Sequence, residues 1–204
     1  MQTIRIIEEF RKKKPLYEDF TFAVYKLIDS ILQEGKYKYQ IFYRIKDPDK
    51  LGEKIHRKKK EGKIYSSLEK IEDLSGLRII FYYEIDKVKF LKEMRKEITG
   101  DLEIISHNKK SGYEAVHIIA SFGNKRIKLS EYKRFKDLKC EIQLVSILHH
   151  AWAEIEHDLL YKNDFKINNK KQLLIYEKEM QDILEKHIKI ATKKFNQIIK
   201  NFKN

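Results

Sequence analysis

Several polar residues stand where an apolar core pattern has no use for them. Asp73 precedes the run GLRIIFYY at residues 76–83, and Arg78 lies inside that run. Glu141 and Gln143 alternate with Cys140, Ile142 and Leu144. In a strand the two polar side chains therefore point to one face and the three apolar ones to the other. Two carboxylates at strand ends, in a chain rich in cations, are what a magnesium site for phosphoryl transfer requires: few hard oxygen ligands, with substrate phosphates completing the octahedron. A sheet with one solvated face explains each pair equally well when it is taken alone.

A second group runs through Lys109, Lys110, Ser111, Gly112 and Tyr113 to His117. Glycine ahead of an aromatic residue allows a tight turn that presents the ring at a strand start. A base stacked on such a ring gains about 1–3 kcal/mol; a turn glycine beside a core tyrosine is the plain alternative. A third group is His149, His150, Glu154 and His157. His150, Glu154 and His157 fall at i, i+4 and i+7 on one helix face, a spacing that raises the question of zinc. The pattern is neither H-E-x-x-H nor cysteine-containing, and His149 and Trp152 sit among apolar residues as amphipathic packing places them, so no transition metal is assigned. The chain carries no Walker A loop, no G-x-G-x-x-G and no G-x-S-x-G, which excludes ordinary kinase, dehydrogenase and hydrolase machinery.

The elements that must hold these residues are legible from periodicity. Apolar residues at Phe20, Ala23, Val24, Leu27, Ile28 and Ile31 predict a core helix over 16–33 with Pro15 at its first turn. Tyr39 to Ile45 reads as a strand, then Asp47 and Pro48 as N-cap and first residue of a basic helix reaching about Lys60. A buried strand follows at 76–83, then a helix capped by Asp86 with Val88, Phe90, Leu91 and Met94 inward. Strands are predicted at 102–106, 115–122 and 138–144, and helices at 146–161 and 170–202. The last three strands have no helix between them, which argues for a mixed α+β sheet rather than a doubly wound parallel one.

Composition sets the frame. With 204 residues, 42% hydrophobic and 37% charged, 7 Gly and 2 Pro, the chain suits one globular domain over 1–204 with no internal boundary. One cysteine, acids within the first ten residues and no apolar stretch of membrane-spanning length point to the cytoplasm. The net charge of +13 attracts polyanions. It concentrates at 54–63, with six basic residues to one acid, at 122–139, with seven to two, and at 165–204, with ten to four. Phosphate-facing surfaces and solvated helix faces both account for such clusters.

Read in order, the segments YRIKDPDKLGEKI, IEDLSGLRII, KKSGYEAVH and CEIQLVSILHHAWAEIEHDLLYK closely resemble the synthetase domain of the RelA/SpoT family, over about residues 40–162. The resemblance implies a nucleotidyltransferase-like mixed sheet flanked by helices, with a C-terminal helical extension over about 165–204 and no hydrolase domain. It implies transfer of pyrophosphate from ATP to the 3′-hydroxyl of GDP or GTP with Mg²⁺, the synthesis of the alarmones ppGpp and pppGpp. By the same resemblance Asp73 and Glu141 would hold the metal, Glu141 also helping to deprotonate the acceptor hydroxyl. Arg44 and Arg78 would sandwich adenine, Lys46 and Lys54 would grip the ATP phosphates, Tyr113 would stack on the acceptor guanine, and Lys109, His117 and Gln143 would line the acceptor site. Planar guanidinium groups suit stacking as lysine does not, and phosphoryl-type transfer needs alignment and charge neutralisation more than a covalent catalyst.

Three positions depart from the family pattern. Lys50 stands where the family usually has serine, Val145 where it commonly has arginine, and Ser111 where some members carry asparagine. The basic surface also fits small relatives that act as toxins by placing pyrophosphate on the 3′ end of tRNA, in which case an antitoxin partner is implied. A non-catalytic nucleotide- or RNA-binding module is the third reading, and the presence of both Asp73 and Glu141 weighs against it. Apolar residues from Leu173 to Ile190 exceed what one sheet face needs and fit homo-oligomer packing through the last helix, with folding back onto its own domain as the plain alternative.

Overall fold

Segments rich in β-branched and aromatic residues pair into one sheet: β1 (Tyr39–Ile45), β2 (Ser75–Phe81), β3 (Glu103–Asn108), β4 (Glu114–Ala120) and β5 (Cys140–Ser146), in the order β1-β2-β5-β4-β3. The structure is a computed structural model that describes residues 2–97, 103–108, 114–161 and 169–203. β2 and β5 run parallel and the other neighbours antiparallel, so the architecture is the mixed α+β sheet expected from the sequence. Seven α-helices accompany it among the described residues: α1 (Gln2–Glu34), α2 (Pro48–Lys60), α3 (Glu84–Glu97), α4 (Asn124–Ile127), α5 (Ile147–Glu156), α6 (Lys170–Ile183) and α7 (Lys189–Lys203).

One sheet face is filled and the other is partly open. α1 lays Phe20, Val24, Ile28 and Leu32 against Leu77 and Ile79 of β2, Ile118 of β4 and Ile142 and Leu144 of β5, with Phe90 and Met94 of α3 completing the cluster. Each such side chain contributes about 1.5–3 kcal/mol on burial. The alternate residues Gly76, Arg78, Glu141 and Gln143 are only partly buried. α5 closes over the carboxyl end of that second face against β2 and β5, and the rest of it faces a cleft.

α1 begins at Gln2 and contains Pro15, so the expected start at residue 16 is corrected. An interior proline costs about 3 kcal/mol. Ile6, Phe10 and Tyr17 bury against Leu51 and Ile55 of α2 and against Tyr65, Leu68, Ile71 and Leu74, and three such side chains outweigh that cost. α2 starts as predicted, with the Asp47 carboxylate accepting from the backbone N–H of Asp49 at 2.9 Å and of Lys50 at 3.2 Å.

Other expectations shift. Asp86 is the third residue of α3 and not its cap, its N–H bonded to the Tyr83 carbonyl at 3.1 Å. Val88 is 55% exposed, because it lies across the helix from the buried stripe of Phe90 and Met94. The short α4 interrupts β4 and β5 where no helix was expected; four residues are too few to show a period. The predicted 146–161 helix is α-helical only to Glu156, with Ser146 as N-cap, and continues as a π-type turn at His157–Tyr161. A second π-type turn, Leu184–Ile188, divides the predicted last helix into α6 and α7. There Leu184 is fully buried with Trp152 and Met180, and the Trp152 indole N–H donates to the Met180 carbonyl at 2.9 Å. No helix among the described residues is long and apolar enough to cross a membrane.

Candidate active site

Strand register aligns the polar residues into two rows across the open face. Arg44 of β1 is opposite Gly76 of β2, which pairs with Glu141 of β5; Phe42 is opposite Arg78, which pairs with Gln143, which pairs with His117 of β4. Directly paired residues point to the same face, so side chains distant in sequence converge. They border a cleft of about 340 Å³, walled by Arg44, Arg78, Glu141 and Gln143 from the sheet and by His150 and Glu154 from α5. Gly76 forms the floor beneath Arg44, whose Cγ lies 3.6 Å from where a Cβ would stand.

A chain of hydrogen bonds links the rows. Glu154 Oε1 accepts from Arg78 Nη1 at 2.6 Å, and Gln143 Oε1 accepts from Arg78 Nε at 3.1 Å. Gln143 Nε2 donates to Glu141 Oε2 at 3.0 Å, and His117 Nδ1 lies 3.0 Å from Glu141 Oε1. An ionised carboxylate only accepts, so the His117 nitrogen is the donor. Burial alone would raise the Glu141 carboxyl, but the hydrogen bond and charge of His117 and the Gln143 amide hold it below its ordinary value.

At the neighbouring end of β1, Asp73 is held by two lysines. Lys46 Nζ donates to Asp73 Oδ2, and Lys54 Nζ lies 2.6 Å from Oδ1. Burial pushes the Asp73 carboxyl up, and the two ammonium groups overcome it and keep the carboxyl below its ordinary range. Lys46 moves down, through burial first, with Asp73 opposing. The charge of Asp73 also works against ionisation of Glu141, so the two carboxylates share one electrostatic neighbourhood.

Arg44, Lys46, Lys54, Asp73, Arg78, His117, Glu141 and Gln143 thus gather along the open face and its β1 end; Lys109 and Tyr113 lie outside the described residues. Sequence reasoning did not place His150 or Glu154 in the cleft. Their i, i+4 spacing was visible, but nothing in it says that this helix face turns toward the open side of the sheet.

A family profile described as a region found in RelA / SpoT proteins matches residues 43–166, more than half of the chain. The chain belongs to the RelA/SpoT family. Every RelA/SpoT site residue expected from the sequence, from Arg44 to Gln143, falls inside that region. The GTP pyrophosphokinase YjbM of Bacillus subtilis (strain 168) is 32% identical over 111 residues, 52% of this chain and 50% of that one. The chain spans about half the length of the curated relatives it matches. Among solved structures, the small alarmone synthetase 2 from Bacillus subtilis superposes with a TM-score of 0.67 at 25% identity, covering 91% of this chain and 96% of that one. The small alarmone synthetase 1 from Bacillus subtilis bound to its product pppGpp gives 0.64 at 20% identity, covering 95% and 97%. The RelA/SpoT likeness in fold therefore extends past residue 166 into α6 and α7.

Proposed function

We propose that the chain is an ATP-dependent pyrophosphokinase that transfers the β,γ-diphosphate of ATP to the 3′-hydroxyl of GDP or GTP, making ppGpp or pppGpp. The observation that carries this reading is the cleft that brings the Glu141 carboxylate together with Arg44 and Arg78, with the charge of Asp73 felt at Glu141. The names of its relatives, a GTP pyrophosphokinase and a small alarmone synthetase, support it. The acceptor oxygen attacks the β-phosphorus, the bond to the bridging oxygen of the α-phosphate breaks, AMP leaves, and the hydroxyl proton passes to a carboxylate oxygen of Glu141.

The chain's own groups supply alignment and charge. Arg78, fixed by Gln143 and Glu154 at both Nε and Nη1, offers a flat surface to adenine, and Arg44 lies across Gly76 as the facing plane. Lys46 and Lys54 neutralise Asp73 until the donor phosphates draw them away, as expected where transfer rests on charge stabilisation. The residues fit Mg²⁺ by the chemistry of the donor set: Asp73 and Glu141 are hard oxygen donors whose carboxyls are held below their ordinary range. When bound through these two carboxylates the ion would neutralise the transferred phosphates. Tyr113 and Lys109 belong to the acceptor side of this reading, with His117 and Gln143.

The basic last turn of α2, Arg57 to Lys60, favours a second reading in which the acceptor is the 3′ end of tRNA, with an antitoxin partner. Residues 1–204 form one synthetase unit in either case. Leu174, Ile175, Ile190, Phe195 and Ile198, all exposed along α6 and α7, support self-association there. The test is incubation with labelled ATP and GDP, GTP or deacylated tRNA. Label on GDP or GTP is expected; label on tRNA alone selects the second reading, and label on none overturns both.

A further inference from the structure

We infer that Glu154 of α5 reads the edge of the donor base, selecting for the exocyclic amino group of adenine and against the oxygen of guanine. The inference rests on the donor cleft proposed above and deepens it by giving that cleft a base preference.

Glu154 accepts from Arg78 Nη1 at 2.6 Å through Oε1, so its carboxylate lies at the rim of the guanidinium group on which the base would stack. A base one van der Waals layer away, about 3.5 Å, brings its edge within reach of the second carboxylate oxygen. That oxygen, Oε2, makes no hydrogen bond among the described residues, and the Glu154 side chain is 52% exposed toward the cleft it lines. His150, one turn earlier, lines the same cleft, its buried Nδ1 facing Glu154 Oε1 at 3.7 Å. The wall thus offers the base edge an acceptor-only carboxylate.

Adenine presents a ring-nitrogen acceptor, N7, next to an amino donor, N6; guanine presents N7 next to the acceptor O6. Glu154 suits only the amino group, since a guanine oxygen would meet a carboxylate with no proton between them. Sites built to hydrogen-bond one group reject analogues that leave their polar atoms unpaired.

The test is displacement of a labelled non-hydrolysable ATP from the protein, which reads the donor cleft without turnover. ATP, GTP and purine riboside triphosphate, which lacks the amino group, are the competitors. Wild type should favour ATP over the purine riboside by about tenfold or more, the value of one such hydrogen bond. Glu154→Gln, whose amide turns to donate as readily as to accept, should narrow the gap between ATP and GTP by a similar factor. Were Glu154 only to orient Arg78, all three competitors would weaken together, and that result overturns the inference. Equal wild-type affinity for ATP and purine riboside triphosphate also overturns it, with no variant needed. If ATP does not bind, or binds equally well after Arg78→Ala, the donor-cleft reading itself fails; ATP binding that depends on Arg78 but ignores the amino group sinks only the base preference.

Discussion

Lys54 Nζ lies 2.6 Å from Asp73 Oδ1, yet Oδ1 accepts no aligned hydrogen bond. That contact is an ion pair, and Lys46 donates a hydrogen bond to the other oxygen. Two cations thus sit on one of the two carboxylates proposed to hold a metal. Both lysines come from the stretch just after β1, on its exit and on α2, so the group that binds Asp73 without nucleotide is the one expected to grip phosphates with it.

Glu141→Gln keeps the shape of the side chain and its contact with His117 while removing the charge. Turnover is expected to fall by about 10²–10⁴, with ATP affinity within a few-fold of wild type. Steady-state rates and direct nucleotide titration check this together; unchanged turnover would remove Glu141 from the chemistry.

Arg44→Lys retains the positive charge beside Gly76 and loses the planar surface. If Arg44 stacks on adenine, ATP affinity should fall by about tenfold, while acceptor affinity stays the same. Equal weakening of both nucleotides would mean that Arg44 serves only as a charge.

Acid stability follows from the two carboxylates. Asp73 and Glu141 are held below their ordinary values of 3.8 and 4.5. Groups depressed in the folded state stabilise it above the unfolded value, and that contribution is lost as pH falls through the folded value. Urea unfolding of wild type should therefore show no loss from this pair between about pH 5 and 7, and a loss below about pH 4. Asp73→Asn should lower stability at neutral pH and flatten the acid loss.

Leu184→Ala should destabilise the α5–α6 contact by about 2–5 kcal/mol, because Leu184 is fully buried against Trp152 and Met180. Ile175→Ser, at a 54% exposed position, should stay within about 0.5 kcal/mol for an isolated chain. Denaturant midpoints decide both, and a large loss at Ile175 that grows with protein concentration would mark α6 as a subunit contact.

Local chemistry made much of this readable in advance. The Asp47-Pro48 start of α2, the strand at 39–45 and the polar face of β5 follow from capping and alternation, which act over a few residues. The expectation of a helix starting after Pro15 failed because a local breaking tendency was set against Ile6 and Phe10, whose burial depends on α2 and on residues 65–74. The undivided last helix failed likewise: Leu184, where the π-type turn begins, is buried with Trp152 and Met180, a contact that periodicity along one helix does not show.

The residue types and their spacing by themselves determined a mixed α+β chain with Asp73, Arg78, Glu141 and Gln143 standing outside the core pattern, and the likeness of four ordered segments pointed to the RelA/SpoT family. Tertiary structure alone decided that Arg78 is clasped between Gln143 and Glu154, that Lys46 and Lys54 occupy Asp73, and that His150 and Glu154 line the cleft. Periodicity reports which side of an element is polar. Which other element that side meets depends on strand order and helix packing, and those are set by burial of the whole core.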